Sequence, residues 1–234
     1  MPRDVAERSK MARYSLTFAM YVAPVLIAGA LIAFFTLRAY GVLPRLGVSP
    51  GFALIDQAGQ TVTSEDLRGS VVVYSFGYTG CAADCDETFA TLNDAQGRLA
   101  DLDLPPEAPV EFVTISLDPA RDSPGQLAGF IAANGLTAPN WRFLTGDPGV
   151  LHAVLGHGFE VVYEELPDGT LRFEPTIILV DDRGIVRAEY RDELPSTERL
   201  ARDVESVVNE ATTAGVSGMV YGAAHLFGCT GTSR

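Results

Sequence analysis

Positive charge is scarce in this chain: 17 Lys+Arg stand against 30 Asp+Glu, a formal net charge of −13 over 234 residues. So acidic a chain excludes nucleic acid as a partner and favours solubility. Sulfur and imidazole are scarce too, with three cysteines and three histidines, so thiol or metal chemistry must come from a few identifiable positions. The odd cysteine count leaves one sulfur over if a pair closes. No internal repeat or low-complexity block appears, and the length suits one ordinary domain plus extras.

Charge is missing altogether from Tyr14 to Leu37, 24 residues of mostly apolar character. That is enough to cross a hydrocarbon core of about 30 Å as a helix. Arg3, Arg8, Lys10 and Arg13 precede the stretch, while Arg38 and Arg45 follow closely. The asymmetry predicts a cytoplasmic amino terminus and a domain on the extracytoplasmic side of the cell (inner) membrane, held by a single span. Beyond residue 13 the chain holds 13 Lys+Arg against 28 Asp+Glu, a net of −15. The expected organisation is a cytoplasmic tail at 1–13, a transmembrane helix at 14–37, a linker at 38–48, a folded domain at 49–210 and a carboxy-terminal extension at 211–234.

The chain is organised around VVVYSFGYTGCAADCDETF, Val71 to Phe89. Val71 to Phe76 is β-branched and aromatic, and reads as a buried strand. A Gly-Tyr-Thr-Gly turn follows and delivers Cys81 to the start of a helix, where free backbone N–H groups and the helix dipole favour a thiolate. Cys85 at i+4 shares that helix face. Two sulfurs so placed can hold one soft metal ion or close a disulfide, and both are expected to project together into a notch that solvent reaches.

Around this centre, Pro50 to Leu67 reads as a hairpin and a helical turn, and Val110 to Leu117 as a second buried strand. Pro124 to Asn134 reads as a helix capped by Ser123, and Asp147-Pro148 as the start of another. Phe159 to Glu164 and Arg172 to Val180 read as strands across an Asp168-Gly169 turn, Ile185 to Tyr190 as a further strand and Leu194 to Asn209 as a helix. The alternation predicts an α/β domain with a mixed sheet flanked by helices. His152 and His157 read as helix-end or loop histidines. His225, four residues before Cys229, has the spacing of a metal-ligand pair.

FALIDQAGQTVTSEDLRGSVVVYSFGYTGCAADC, then FVTISLDPARDSP, then PTIILVDDRG resemble the thioredoxin-like superfamily, and within it the Sco/SenC family of membrane-tethered copper-handling proteins. The resemblance covers roughly residues 49 to 210. It implies a thioredoxin-like fold and a role in assembling the binuclear copper centre of cytochrome c oxidase subunit II, either by delivering copper, as Cu(I) or Cu(II), or by reducing that site's cysteines. It makes Cys81 and Cys85 the copper-binding thiols. The family's third ligand, a histidine just before the late strand, has no counterpart in Arg172-Phe173-Glu174-Pro175, which leaves His225, then Glu174, to complete a site. Pro175 before Thr176 resembles the proline that thioredoxin-like proteins hold cis beside the active turn. The resemblance therefore implies a copper chaperone, with two alternatives. One is a thiol:disulfide oxidoreductase acting on an extracytoplasmic cysteine-containing protein, and the other a non-catalytic oxidase assembly factor.

Overall fold

The computed structural model describes residues 21–22, 24–29, 43–81 and 83–212. The chain divides into two units, and Val42–Met219 forms the one that carries every strand and helix labelled below. In the other, residues 21–22 and 24–29 are helical. Among the described residues no helix is long and apolar enough to cross a membrane. Most of the 14–37 stretch lies outside those residues, as do His225 and Cys229.

Eight strands make one mixed sheet. In chain order they are β1 (Gly47–Val48), β2 (Ala53–Asp56), β3 (Thr61–Thr63), β4 (Val71–Gly77), β5 (Val110–Ser116), β6 (Trp141–Thr145), β9 (Thr176–Val180) and β10 (Ile185–Arg191), arranged as β1-β10-β9-β4-β5-β6-β2-β3. The remaining two, β7 (Tyr163–Glu165) and β8 (Leu171–Phe173), pair only with each other. Helices α1 (Ala83–Ala100), α2 (Pro124–Ala133), α3 (Pro148–His152) and α4 (Thr197–Thr212) complete the layers. This is the mixed α/β, thioredoxin-like arrangement that the sequence predicts.

β4 lies between parallel β5 and antiparallel β9, and all seven of its residues are buried. Both faces are covered, which explains why VVVYSFG is a continuous apolar run and not an alternating one. On one face Tyr74 and Phe76 meet Phe159, with ring centroids 4.9 and 5.3 Å apart. On the other, Phe89 of α1 packs among Phe130, Trp141 and Phe143 at 5.7, 6.3 and 5.8 Å. The buried hydroxyl of Thr114 accepts from Trp141 Nε1 at 2.9 Å and pairs with Ser75 Oγ at 2.8 Å, so the polar atoms under that cluster are satisfied.

Two elements differ from the sequence reading. Arg172 to Val180 is not one strand: Pro175 has no N–H to give a ladder, and the chain breaks there into β8 and β9. Phe159 begins no strand, because a π-helical turn over Ala153–Gly158 carries on from α3 and the Phe159 N–H closes on Val154 O.

Residues 43–48, expected within a linker, are instead part of the folded unit. β1 pairs with β10, and Arg187, 1 % exposed, binds the stretch from below. Its guanidinium donates to the carbonyls of Leu43 at 2.7 Å and Pro44 at 3.2 Å, to Asp181 at 3.2 Å and to Glu210 at 2.6 Å. A planar fork with five donors meets four acceptors at once, which is how a buried cation is tolerated.

Candidate dithiol site

Cys81 and Cys85 form a disulfide, their Cα atoms 5.6 Å apart. The i, i+4 relationship drawn from the sequence accounts for this. Cys81 sits just before α1, its N–H donating to Tyr78 O at 3.1 Å, and Cys85 lies in the first turn. The parallel β4 ends at Gly77 and hands the chain to the turn Tyr78–Gly80, so the sulfurs occupy the carboxyl edge of the sheet, where open α/β sheets place their chemistry.

Their accessibility is not what the sequence predicts. Cys81 is 3 % exposed and Cys85 1 %, so the sulfurs are buried where the sequence predicts solvent access. The reason is close packing from below: a Cβ on Gly77 would stand 2.9 Å from Cys85 Sγ, 3.2 Å from Phe89 Cζ and 3.8 Å from Cys81 Sγ. Only a glycine lets the strand end come so near the bond. The adjoining cavity, lined by residues including Tyr78, Thr79, Ser116 and Phe130, has a volume of about 10 Å³, room for one water at most. That cavity is too small to seat a small-molecule substrate.

The turn before Cys81 is held by a residue that sequence reasoning did not single out. Asp122 is 0 % exposed. Its carboxylate accepts from the Thr79 hydroxyl, from the Thr79 N–H at 3.2 Å and from Ser116 Oγ at 2.6 Å. The bonds join the turn Tyr78–Gly80 to the end of β5 and to the loop Asp118–Ser123. Nearby, Arg121 pairs with Asp118 at 3.2 Å and donates to Gly169 O at 2.6 Å. The stretch SLDPARDSP, which carries the family resemblance, is thus a clamp on the cysteine turn. Its residue types are visible in the sequence, but their partners lie too far along the chain for local pattern to reveal.

Pro175 lies immediately before β9, at the same sheet end as the cysteines, since Ile177 pairs with Ser75 of β4. The cis geometry expected there is absent: none of the described peptide bonds is cis. Trans is the default by about 0.5–1 kcal/mol unless contacts select otherwise. Here Thr176 Oγ1 donates to Glu174 O at 3.1 Å across the trans proline. Glu174 itself shares a hydrogen bond with Asp192, whose like charge adds to the effect, and its carboxyl is held above the usual range.

Copper, if carried, would be cargo held by the reduced thiols. Two thiolates suit Cu(I). Among the described residues no group of three or more His, Cys, Asp or Glu is placed to hold a metal ion. His152 Nδ1 instead lies 3.4 Å from Tyr163 Oη, and His157 sits in the last turn of the π-helical segment. The structure brings together Cys81 and Cys85, with Pro175 at the same sheet end, and joins neither of the described histidines, His152 and His157, to them.

Comparison with known proteins agrees with this architecture. The SCO1/SenC family model matches residues 44–209. A SCO1 protein homolog of Bacillus subtilis is 35 % identical over 95 residues, covering 41 % of this chain and 47 % of that protein, so the match spans about half of the relative's length. A putative copper-binding protein of Stutzerimonas stutzeri is 30 % identical over 159 residues, covering 64 % of this chain and 72 % of that one. Among solved structures, BsSco, described with a disulfide switch as a member of the Sco family of cytochrome c oxidase assembly proteins, superposes with a TM-score of 0.62 at 26 % identity, covering 72 % of this chain and 98 % of that one. By the extent of the family match and by the fold, this chain belongs to the SCO1/SenC family.

Proposed function

We propose that Cys81 and Cys85 perform thiol–disulfide exchange on a cysteine pair of an extracytoplasmic copper-centre protein, subunit II of cytochrome c oxidase, with the chain anchored to the cell membrane by residues 14–37. One observation carries the reading: the two sulfurs are bonded to each other, with no third metal donor beside them among the described residues. The family's place in oxidase assembly supports the choice of partner, and the uncharged stretch with its preceding basic residues supports the anchor and its orientation.

In the reducing direction the Cys81 thiolate attacks one sulfur of the partner's disulfide. The S–S bond breaks, a mixed disulfide forms and the partner's other sulfur leaves as a thiolate. The Cys85 thiolate then attacks Cys81 Sγ, closing the bond seen here and releasing the second partner thiolate. Two electrons and two protons have passed to the partner, and an extracytoplasmic dithiol protein must return them before the next cycle. The reduced full chain carrying Cys85→Ser is expected to accumulate a mixed disulfide with an oxidised two-cysteine fragment of subunit II. Absence of any adduct, with no exchange by the unaltered chain, overturns the reading.

A second reading, transfer of Cu(I), is favoured by the 5.6 Å Cα separation, which sets two soft ligands side by side once the bond is open. The reduced full chain is then expected to retain about one copper ion, lost in Cys81→Ala. Equal occupancy in His225→Ala removes His225 from the site.

A further inference from the structure

Sulfurs that must meet another protein are closed off here, so something beside them has to yield. β4 and the part of α1 around Phe89 are held, because they form the core that packs Gly77 and Phe89 against the bond. The hairpin of β7 and β8 is different: it forms a two-stranded sheet of its own, and besides the packing of Leu171, Tyr163 and Phe173 on the core it is held by a few polar ties. Arg121 Nη2 donates to Gly169 O at the hairpin's turn. Tyr78 Oη accepts from the Leu171 N–H at 3.1 Å and donates to Leu171 O at 3.4 Å, and the Tyr78 and Phe173 rings meet edge-on at 6.2 Å.

Tyr78 also reaches the chemistry with its other end. Its carbonyl oxygen lies 2.7 Å from Cys81 Sγ, and a Cβ on Gly80 would come within 2.9 Å of its ring, so the turn folds tightly against that side chain. A single residue therefore touches the hairpin through its phenol and the sulfur through its backbone. We propose that Tyr78 is a positioning residue that couples the seating of the β7–β8 hairpin to the accessibility of Cys81. With the phenol paired to Leu171 the disulfide stays closed. A protein that displaces the hairpin frees Tyr78, the turn Tyr78–Gly80 relaxes, and Cys81 Sγ comes within reach. The inference rests on the reading of Cys81 and Cys85 as an exchanging pair, and adds to it the route by which a partner gains entry.

The test compares the full chain with Tyr78→Phe, which keeps the ring against Phe173 and removes only the hydroxyl. Two quantities are read well below the unfolding midpoint: hydrogen exchange at the Leu171 amide, and the rate at which excess dithiothreitol reduces the disulfide. The reagent gives two electrons and two protons and closes to its own cyclic disulfide. Loss of the tether is expected to speed amide exchange and to raise the reduction rate about two- to tenfold. Arg121→Gln, which cuts the tie at Gly169, is expected to change the rate in the same direction, and it carries the test if Tyr78→Phe does not fold. A reduction rate equal to that of the unaltered chain overturns the coupling, whether or not Leu171 loses protection. A hydroxyl with a merely structural role lowers the thermal midpoint and leaves the reduction rate alone. Because dithiothreitol replaces the protein partner, a normal outcome here with no mixed disulfide in Cys85→Ser counts against the exchange reading and not against the coupling.

Discussion

Thr79 and Asp122, 43 positions apart, are joined through both the hydroxyl and the backbone N–H of the threonine. The carboxylate is fully buried and takes a further bond from Ser116. Asp122→Ala would leave three donors without an acceptor inside the fold, at a cost of about 2–4 kcal/mol. Asp122→Asn, which keeps one carbonyl acceptor, is expected to fall between. Denaturant unfolding with the disulfide intact measures both, and an Ala variant as stable as the unaltered chain would show that Asp122 does not hold the turn.

Gly77 is held to its identity by sulfur. Adding the methyl group of Gly77→Ala places carbon 2.9 Å from Cys85 Sγ and 3.2 Å from Phe89 Cζ, an overpacking expected to cost about 1–3 kcal/mol. The two sulfurs can part once reduced, so the penalty should be larger in the oxidised protein. Thermal unfolding of both redox forms checks this, and equal penalties would mean that Phe89 sets the limit instead.

Arg187 is expected to be the most sensitive charged position. Arg187→Met leaves the buried Asp181 without its cation and frees the carbonyls of Leu43 and Pro44, a loss of about 3–5 kcal/mol. Hydrogen exchange should quicken at the Leu46 amide, which donates to Val186 O at 2.8 Å. Unchanged protection there would show that β1 holds without the guanidinium.

Glu174 gives a pH signature. Its hydrogen bond with Asp192, and then the like charge of that residue, raise its pKa in the folded state. A raised carboxyl contributes stability that is present at low pH and lost as pH rises through the folded value. Glu174→Gln removes that dependence, so the variant is expected to gain stability relative to the unaltered chain on going from acid to neutral pH. Thermal midpoints across that range decide it, and parallel curves refute the pairing.

The sequence made the centre of the fold legible because its signals are local. A run of β-branched and aromatic residues names β4, and the spacing of Cys81 and Cys85 brings their sulfurs together. Ser123 and Asp147 cap α2 and α3 as read, through bonds to residues two and three positions on. What escaped reading depends on distance along the chain. Asp122 looks like any loop aspartate until Thr79 is folded against it, and Arg187 like a strand arginine facing water until Leu43 and Glu210 close over it. The burial of the two sulfurs is different: Gly77 and Phe89, which set it, stand four residues before Cys81 and four after Cys85, but residue type alone does not reveal how closely they pack against the bond. Pro175 warned of a break between β8 and β9 through its missing N–H, but its trans geometry rests on surroundings that no motif encodes.

Leu43 and Glu210 answer to one guanidinium, so the start of the 43–212 stretch and the last turn of α4 meet at a single corner beside β10. Tension drawn through either end is borne at that corner, and β9 stands between it and the strand that delivers Cys81. α4, which ends at that corner, begins beside α1, where Glu198 accepts from Arg98, so a load taken at the corner has a direct path to the helix that carries Cys85.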